Sequence, residues 1–369
     1  MTRFKVLLAL VVAALLAVPA ARAEQHHPFA ADRQVTVMTQ NLYLGTDLNP
    51  IFGAPNLPAL FAAVGVGWAQ VQSNDFPARA EAIADEIAAA QPDLVGLQEA
   101  ELYRTDFPPD GPATPAETVA YDFIQLLVNA LAERGLSYEP VGVFNGTDVE
   151  LPAGFPPTLD VRFTDRVAML ARTDERTADL KLSNTQSGTY PTALTLQTVA
   201  GPITASRGWV SVDVKIRGKS FRLITTHLEA FSPLVRNPQA AELLAGPANT
   251  DLPVVAVGDF NSGPGGDLGA YGILLAGGFS DAWPDGDGLT CCHATDLHNP
   301  SPTLTKRIDL VLTRGGFGTV SAEVVGEERP TGLLPASGPR TTRVSWRRSG
   351  SRRAGRLDGC GSCSTGTER

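Results

Sequence analysis

Histidine and cysteine are both scarce in this chain. Of five histidines in 369 residues, two are adjacent near the start, the others are His227, His293 and His298, and none occurs later. Imidazole chemistry is therefore confined to very few positions. The four cysteines are the adjacent pair Cys291-Cys292, and Cys360 with Cys363. The run Cys291, Cys292, His293, His298 matches no common zinc-ligand spacing, so the adjacent pair reads as two loop thiols or a vicinal disulfide. Long apolar runs are equally rare. After the first 23 residues no segment is apolar enough to span a hydrocarbon core of ~30 Å. No internal repeat is present.

A broad basic surface is missing too. The chain carries −9 overall, the first 23 residues contribute +3 and residues 338–369 contribute +6, which leaves −18 on residues 24–337. A body that acidic lacks the cationic face that drives sequence-independent nucleic-acid binding by counterion release. A local cationic cleft or a bound metal would still hold a single phosphate.

What is present begins with Arg3 and Lys5, an apolar run from Val6 to Val18, and then Ala21-Arg22-Ala23. These are the charged, apolar and cleavage regions of a secretory signal, and the run is short for a membrane anchor. The sequence thus predicts a signal peptide over residues 1–23, export, and a soluble mature protein outside the cytoplasm. The chain is 43% hydrophobic, enough for a sizeable core, and β-rich α/β sandwiches of this length fold as one unit.

Residues 34–41 alternate like a half-buried strand, with Val35 and Val37 on one face. Residues 77–90 set Ala80, Ile83, Ala84 and Ile87 on one helical face after Pro77. Gln91-Pro92-Asp93 ends that helix, and "LVGLQEA" (94–100) follows as a buried strand. A second amphipathic helix is expected over 117–134, and strands over 137–144, 166–172, 190–199, 208–216 and 220–227. A helix at about 239–246 leads to a strand at 252–261, and a helix near 268–276 to late strands at 279–283, 306–313 and 318–325. Pro- and Gly-rich stretches at 105–115, 151–158 and 284–290 read as loops.

Several of these strands stop on a polar residue: Asn41, Glu99, His227, Asp259, Asn261 and Asp309. Such endings gather chemistry at one edge of a sheet. "VVAVGDFNSGP" (254–264) carries the strongest signal: a buried strand, a glycine allowing close backbone approach, then Asp259 and Asn261 on one side of an extended segment. An ionised Asp accepts a proton from water, and an Asn amide donates to a phosphate oxygen; an Asx turn closing the strand explains either residue alone. His227 ends another strand in "TTHLEA", where it is a catalytic imidazole or a satisfied structural one. Glu99 ends a buried strand, a costly place for a carboxylate without a partner or a cation. Asn41 offers an oxygen ligand for a hard cation, and Asp309, between apolar neighbours in "RIDLVL", needs a partner. An oxygen-rich set of this kind suits magnesium, with waters and substrate phosphate completing its coordination. The implied chemistry is metal-assisted phosphoester hydrolysis.

In that order and at those separations, "TQNLYLG", "GLQEAE", "TTHLEA", "GDFNSGP" and "KRIDLVL" resemble the endonuclease/exonuclease/phosphatase superfamily, the deoxyribonuclease I-like fold, over about residues 34–337. The resemblance implies an α/β four-layer sandwich: two packed mixed β-sheets flanked by helices, with the site at one end. It implies a divalent metal (Mg²⁺, or Mn²⁺ or Ca²⁺) held by Glu99 with Asn41 nearby, and His227 and Asn261 contacting the scissile phosphate. Asp259 would orient or deprotonate the attacking water, Asp309 would orient a second histidine, and Arg166 in "DRVAML" would contact phosphate. The expected substrate is a phosphoester, whether nucleic acid, phospholipid head group or small phosphate ester, turned over by a monomer with no obligate protein partner.

The second histidine is where this sequence departs from the family. The family's closing Ser-Asp-His motif and last strand are replaced, after Ser337, by Gly338-Pro339-Arg340 and an Arg/Gly/Ser-rich stretch to residue 369. One extra G before the Asp codon of Ser-Asp-His yields Gly-Pro and then a residue from a CNN codon, which includes Arg. Residues 338–369 are accordingly expected to be an out-of-frame, disordered tail, with the domain ending at 337. A genuine basic tail is the other reading; the chain then lacks the imidazole that Asp309 would orient, unless His293 or His298 substitutes. The expected function is a secreted, divalent-metal-dependent phosphoester hydrolase, and the alternative is a catalytically impaired relic or a non-catalytic binding protein on the same fold.

Overall fold

The computed structural model describes residues 34–283, 287–297 and 303–325, and the backbone of 340–346. The expected signal peptide, His298 and residues 347–369 lie outside the described residues. In chain order the strands are β1 (Gln34–Asn41), β2 (Leu94–Gln98), β3 (Leu102–Asp106), β4 (Thr118–Asp122), β5 (Tyr138–Ala153), β6 (Leu159–Arg172), β7 (Lys181–Thr189) and β8 (Leu194–Thr198), followed by β9 (Gly201–Ala205), β10 (Gly208–Ile216), β11 (Lys219–His227), β12 (Val254–Asp259), β13 (Ser280–Asp281), β14 (Asp309–Arg314), β15 (Phe317–Val324) and β16 (Arg340–Trp346). The helices are α1 (Asn49–Phe52), α2 (Leu57–Ser73), α3 (Phe76–Ala90), α4 (Phe123–Glu133), α5 (Pro233–Ala245) and α6 (Gly269–Ala276).

The strands form two mixed sheets. The first runs β15-β16-β1-β2-β6-β3-β4, with β5 also paired to β6; the second runs β13-β14-β12-β11-β10-β7. A separate hairpin, β8–β9, joins neither. Three apolar clusters define four layers. Val35, Val37, Leu94 and Met169 of the first sheet pack against Val212, Phe221, Val255 and Val257 of the second. The other face of the first sheet lies under α2, α3 and α4 through Met38, Ile83, Ile87, Leu127 and Leu131. The second sheet is covered by α5 and α6 through Leu243, Leu274, Ile224 and Ala256. This is the four-layer sandwich expected from the motifs. β1 is buried on both faces because alternate residues serve two different cores.

The sheets approach each other closely beneath the strand ends. A Cβ on Gly96 of β2 would stand 2.5 Å from Val257 and 2.6 Å from Thr225 of the second sheet. Only glycine fits there. Next along β2, Gln98 accepts from the Thr39 hydroxyl at 3.1 Å and donates to the Thr225 hydroxyl at 3.0 Å, bridging the two sheets.

Several sequence expectations are corrected. The helix expected over 117–134 starts only at Phe123, where the Asp122 carboxylate caps it by accepting from the Ile124 and Gln125 amides; residues 118–122 pair instead with β3 as an edge strand. Helix α2 escaped the sequence reading because Gly65, Val66 and Gly67 weaken its propensity. Its packing explains them: a Cβ on Gly65 would lie 2.8 Å from the Gly154 amide. Residues 340–346, expected in a tail, form β16 in the first sheet, antiparallel to both β1 and β15. The closing strand is thus made of backbone pairing.

Candidate active site

Strand register brings the polar strand ends together. In the second sheet His227 pairs across with Asp259, and Asp259 with Asp309, so three candidate residues lie in one transverse row. In the first sheet Asn41 pairs with Gln98, one residue before Glu99. Glycine at 258, with φ +152°, permits the row: a Cβ there would meet the Thr226 carbonyl at 2.1 Å. Asn41, Glu99, His227, Asp259, Asn261 and Asp309 all line one cleft of about 290 Å³.

Asn41 ties the sheets at the cleft floor. Its Nδ2 donates to Glu99 Oε1 at 3.0 Å and to Asp259 Oδ2 at 3.1 Å, while its Oδ1 accepts from the Tyr43 amide at 2.8 Å. Glu99 Oε2 accepts from the Leu44 amide at 2.6 Å. Asp259 Oδ1 accepts from the Asn261 amide at 2.8 Å. Burial pushes both carboxyl groups above the usual carboxylate range, against the pull of these hydrogen bonds. Tyr43, Glu99 and Asn261 all have left-handed backbones, at φ 57°, 48° and 48°. Non-glycine residues in that region cost of order 1–3 kcal/mol each and cluster at functional sites.

His227 is 2% exposed. Arg207 Nη1 lies 3.1 Å from its Nδ1 and donates to Asp165 Oδ2 at 2.6 Å. Both ring nitrogens face donors: Nδ1 faces the Arg207 guanidinium, and Nε2 faces the Asn261 side-chain Nδ2 at 3.1 Å, with Asp259 Oδ2 3.8 Å away. A neutral ring accepts at one nitrogen only, so the two donors compete for it. Burial, then Arg207, holds the imidazole well below its ordinary pKa. At neutral pH it is an uncharged hydrogen-bond donor.

Arg166 does not join the cleft. Its guanidinium donates to the carbonyls of Ala100 (2.6 Å) and Glu101 (3.0 Å) and to Asp122 (2.5 Å), fastening β6 to the β2–β3 connection and the start of α4. Its cationic place at the cleft is taken by Arg207, which the sequence marks only as a basic residue before a strand. Arg79 was also missed. Fully buried beside the apolar face of α3, it donates to the Leu42 carbonyl at 2.5 Å, Tyr43 at 3.2 Å and Asn74 at 3.1 Å, and so holds the loop that follows Asn41. Burial lowers its pKa to about 10.

The cysteine pair closes one wall of the cleft. Cys291 and Cys292 are joined as a vicinal disulfide, which removes both thiols from metal binding. The Thr290 hydroxyl accepts from the Ile308 and Asp309 amides at 3.2 Å, stitching this loop to the start of β14. His293 follows directly and lines the cleft with Asp309.

Among the described residues no group of three or more His, Cys, Asp or Glu side chains forms a metal cage. The donors nonetheless fit a hard cation. Carboxylate oxygens of Glu99 and Asp259 converge beside Asn41, whose own Oδ1, expected as a ligand, is turned to the Tyr43 amide; no thiolate is near, and burial disfavours both charges, which a divalent cation would offset.

The endonuclease/exonuclease/phosphatase family profile matches residues 38–345, and the chain belongs to that family. Its fold is similar to that of an endonuclease/exonuclease/phosphatase family protein from Bacteroides vulgatus, with TM-score 0.54 and 17% identity over 85% of this chain and 99% of the other. A Bacteroides thetaiotaomicron protein of the same family gives TM-score 0.54 and 15% identity, covering 85% and 98%. D. rerio TDP2, solved with a single strand DNA product, gives TM-score 0.51 and 17% identity, covering 85% and 99%. At these identities the likeness is one of fold. Among curated proteins the chain has no match.

Proposed function

We propose that this chain is an exported, divalent-cation-dependent phosphoester hydrolase acting on phosphodiesters. The observation that supports it most is the convergence of Asn41, Glu99, His227, Asp259, Asn261 and Asp309, drawn from two sheets, on one cleft. His227, in its Nε2–H tautomer, and the Asn261 side-chain amide donate to oxygens of the scissile phosphate. Asp259, made more basic by burial, takes the proton of the attacking water. Glu99 would hold the cation, Mg²⁺ or else Mn²⁺ or Ca²⁺, with Asn41 orienting its carboxylate, and the bound cation would neutralise the developing phosphate charge. The substrate is a phosphoester, and D. rerio TDP2, which was solved with a DNA product, makes nucleic acid one class to assay.

The test is hydrolysis of bis-p-nitrophenyl phosphate by the purified chain in Mg²⁺ and in EDTA. Turnover should require the cation and vanish in Asp259→Ala. Export is tested separately, by the N-terminal sequence of protein recovered from culture medium, which should begin after Ala23.

A second reading, a catalytically impaired relic, rests on the absence of any histidine after His298. His293, which lines the cleft beside Asp309, is the described imidazole placed to serve instead. Replacing Gly338→Asp together with Pro339→His should raise turnover about 10²–10⁴-fold if a general acid/base is missing. If His293 already serves, His293→Ala loses as much and the double substitution gains nothing. No metal-dependent turnover even from the double variant would end the enzyme reading.

A further inference from the structure

A second cavity, of about 120 Å³, adjoins the cleft. Leu44, Thr46, Leu48, Glu99, Arg207 and Phe231 line both, so the two spaces are neighbours. The deeper wall is apolar. Trp68 comes from α2, Phe163 from β6, and Leu196 and Ile203 from the β8–β9 hairpin. That hairpin pairs with neither large sheet, and Leu194, Leu196 and Ile203 are half-buried while their neighbours along the strands are exposed. Its inner side chains close the cavity.

Charged side chains break this lining: Glu99 and Arg207, shared with the cleft, and Asp165 and Glu101. Glu101 faces the cavity, is fully buried, and neither carboxyl oxygen has a hydrogen-bond partner among the described residues. A buried polar group without a partner is costly to retain without a use. The volume is of the order of the ~150 Å³ cavity that stays dry and takes up benzene when lined by Leu, Ile and Phe.

We propose that this cavity is the subsite for the organic portion of the substrate: an apolar group about one ring in size, bearing a hydrogen-bond donor that the Glu101 carboxyl accepts. The inference rests on the phosphoester reading of the adjoining cleft. It places the ester's phosphate among Glu99, His227 and Asp259, and its organic group past Leu44 and Phe231.

The test is calorimetric binding of stable methylphosphonate monoesters to the full chain in Mg²⁺, with methyl, benzyl and 4-(hydroxymethyl)benzyl groups. Burial of a ring should make the benzyl ester bind about 10–100-fold tighter than the methyl ester. The hydroxymethyl compound should bind tighter still. Ile203→Trp, which fills the cavity from the hairpin, should erase the ring preference, so that benzyl and methyl esters bind equally. Glu101→Leu should erase only the hydroxymethyl advantage, and the Ile203 series carries the test should that variant not fold. Equal affinity of the native chain for methyl and benzyl esters, or a ring preference that survives Ile203→Trp, overturns the subsite whatever the turnover. A ring preference lost in Ile203→Trp, without metal-dependent hydrolysis of any ester, upholds the subsite and removes the hydrolase reading instead.

Discussion

Replacing Asn41 by aspartate turns one amide nitrogen into a carboxylate oxygen at nearly constant volume. In the native site that nitrogen donates to Glu99 Oε1 at 3.0 Å and Asp259 Oδ2 at 3.1 Å. Hydrogen bonds to charged groups contribute about 1.5–3 kcal/mol each, so their joint loss costs about 3–6 kcal/mol, and a third like charge adds to it. Against a total stability of about 5–15 kcal/mol, cation-free Asn41→Asp protein should unfold at much lower urea at pH 7. Burial already holds Glu99 and Asp259 above their ordinary range, and the new carboxylate pushes the set higher. Acids whose folded pKa is raised contribute stability below their unfolded values, near pH ~4, and lose it as pH rises through the folded values. The gap between variant and native protein should therefore widen from pH ~4 upward and narrow on acidification. A divalent cation replaces the lost positive partner and should close the gap at pH 7. Urea unfolding at pH 5 and pH 7, in EDTA and in MgCl₂, reads all four conditions. A gap of one size in all of them would refute the cation-holding role of these carboxylates.

Three further outcomes are expected. Arg79→Met keeps the packing on Phe76 but removes donors to three carbonyls; urea unfolding should show a loss of about 2–4 kcal/mol, with Mg²⁺-dependent turnover falling as the Asn41 loop loosens, and no change in either would make the cation a bystander. His227 is held well below its ordinary pKa by burial and Arg207, so it withdraws stability as pH falls from ~6.5 toward its folded value. His227→Gln should flatten the stability–pH curve over that interval only, and curves that stay parallel would contradict a neutral, buried imidazole. Truncation after Ser337 removes the strand between β1 and β15; the product should be insoluble or unfold without cooperativity, whereas a soluble, cooperatively folding product would show that β16 is dispensable.

The second sheet was the more legible. β10, β11 and β12 follow their apolar alternation to within a residue or two, because each buries a face between two layers. The catalytic candidates were legible for a related reason: Asn41, Asp259 and His227 end buried strands, where a polar side chain stands out against its neighbours. Helix α2 was not, because its glycines are explained only by distant segments, Gly65 by the backbone at Gly154 and Gly67 by the Thr46 and Ile51 side chains. Strand β16 was not, because its pairing is set by the two open edges it fills. Arg166 and Arg207 show the limit most clearly. Both precede or occupy strand residues and both are cationic, yet only the three-dimensional course of β6 and β10 sends one guanidinium to backbone carbonyls and the other to His227. Nothing local distinguishes them.

The contact between Gly96 and the Val257–Thr225 pair has a consequence for how the molecule tolerates change. Glu99 and Asn41 ride on one sheet, and His227 and Asp259 on the other, so the cleft works as a vernier on the spacing of the two sheets. Substitutions that shift that spacing by a few tenths of an ångström, far below what a thermal melt detects, would move the two halves of the candidate site past each other. Variation in the layer between the sheets should therefore register first as lost turnover and only later as lost stability. An activity-ranked library at Val37, Gly96, Val212 and Val257 would then measure sandwich thickness.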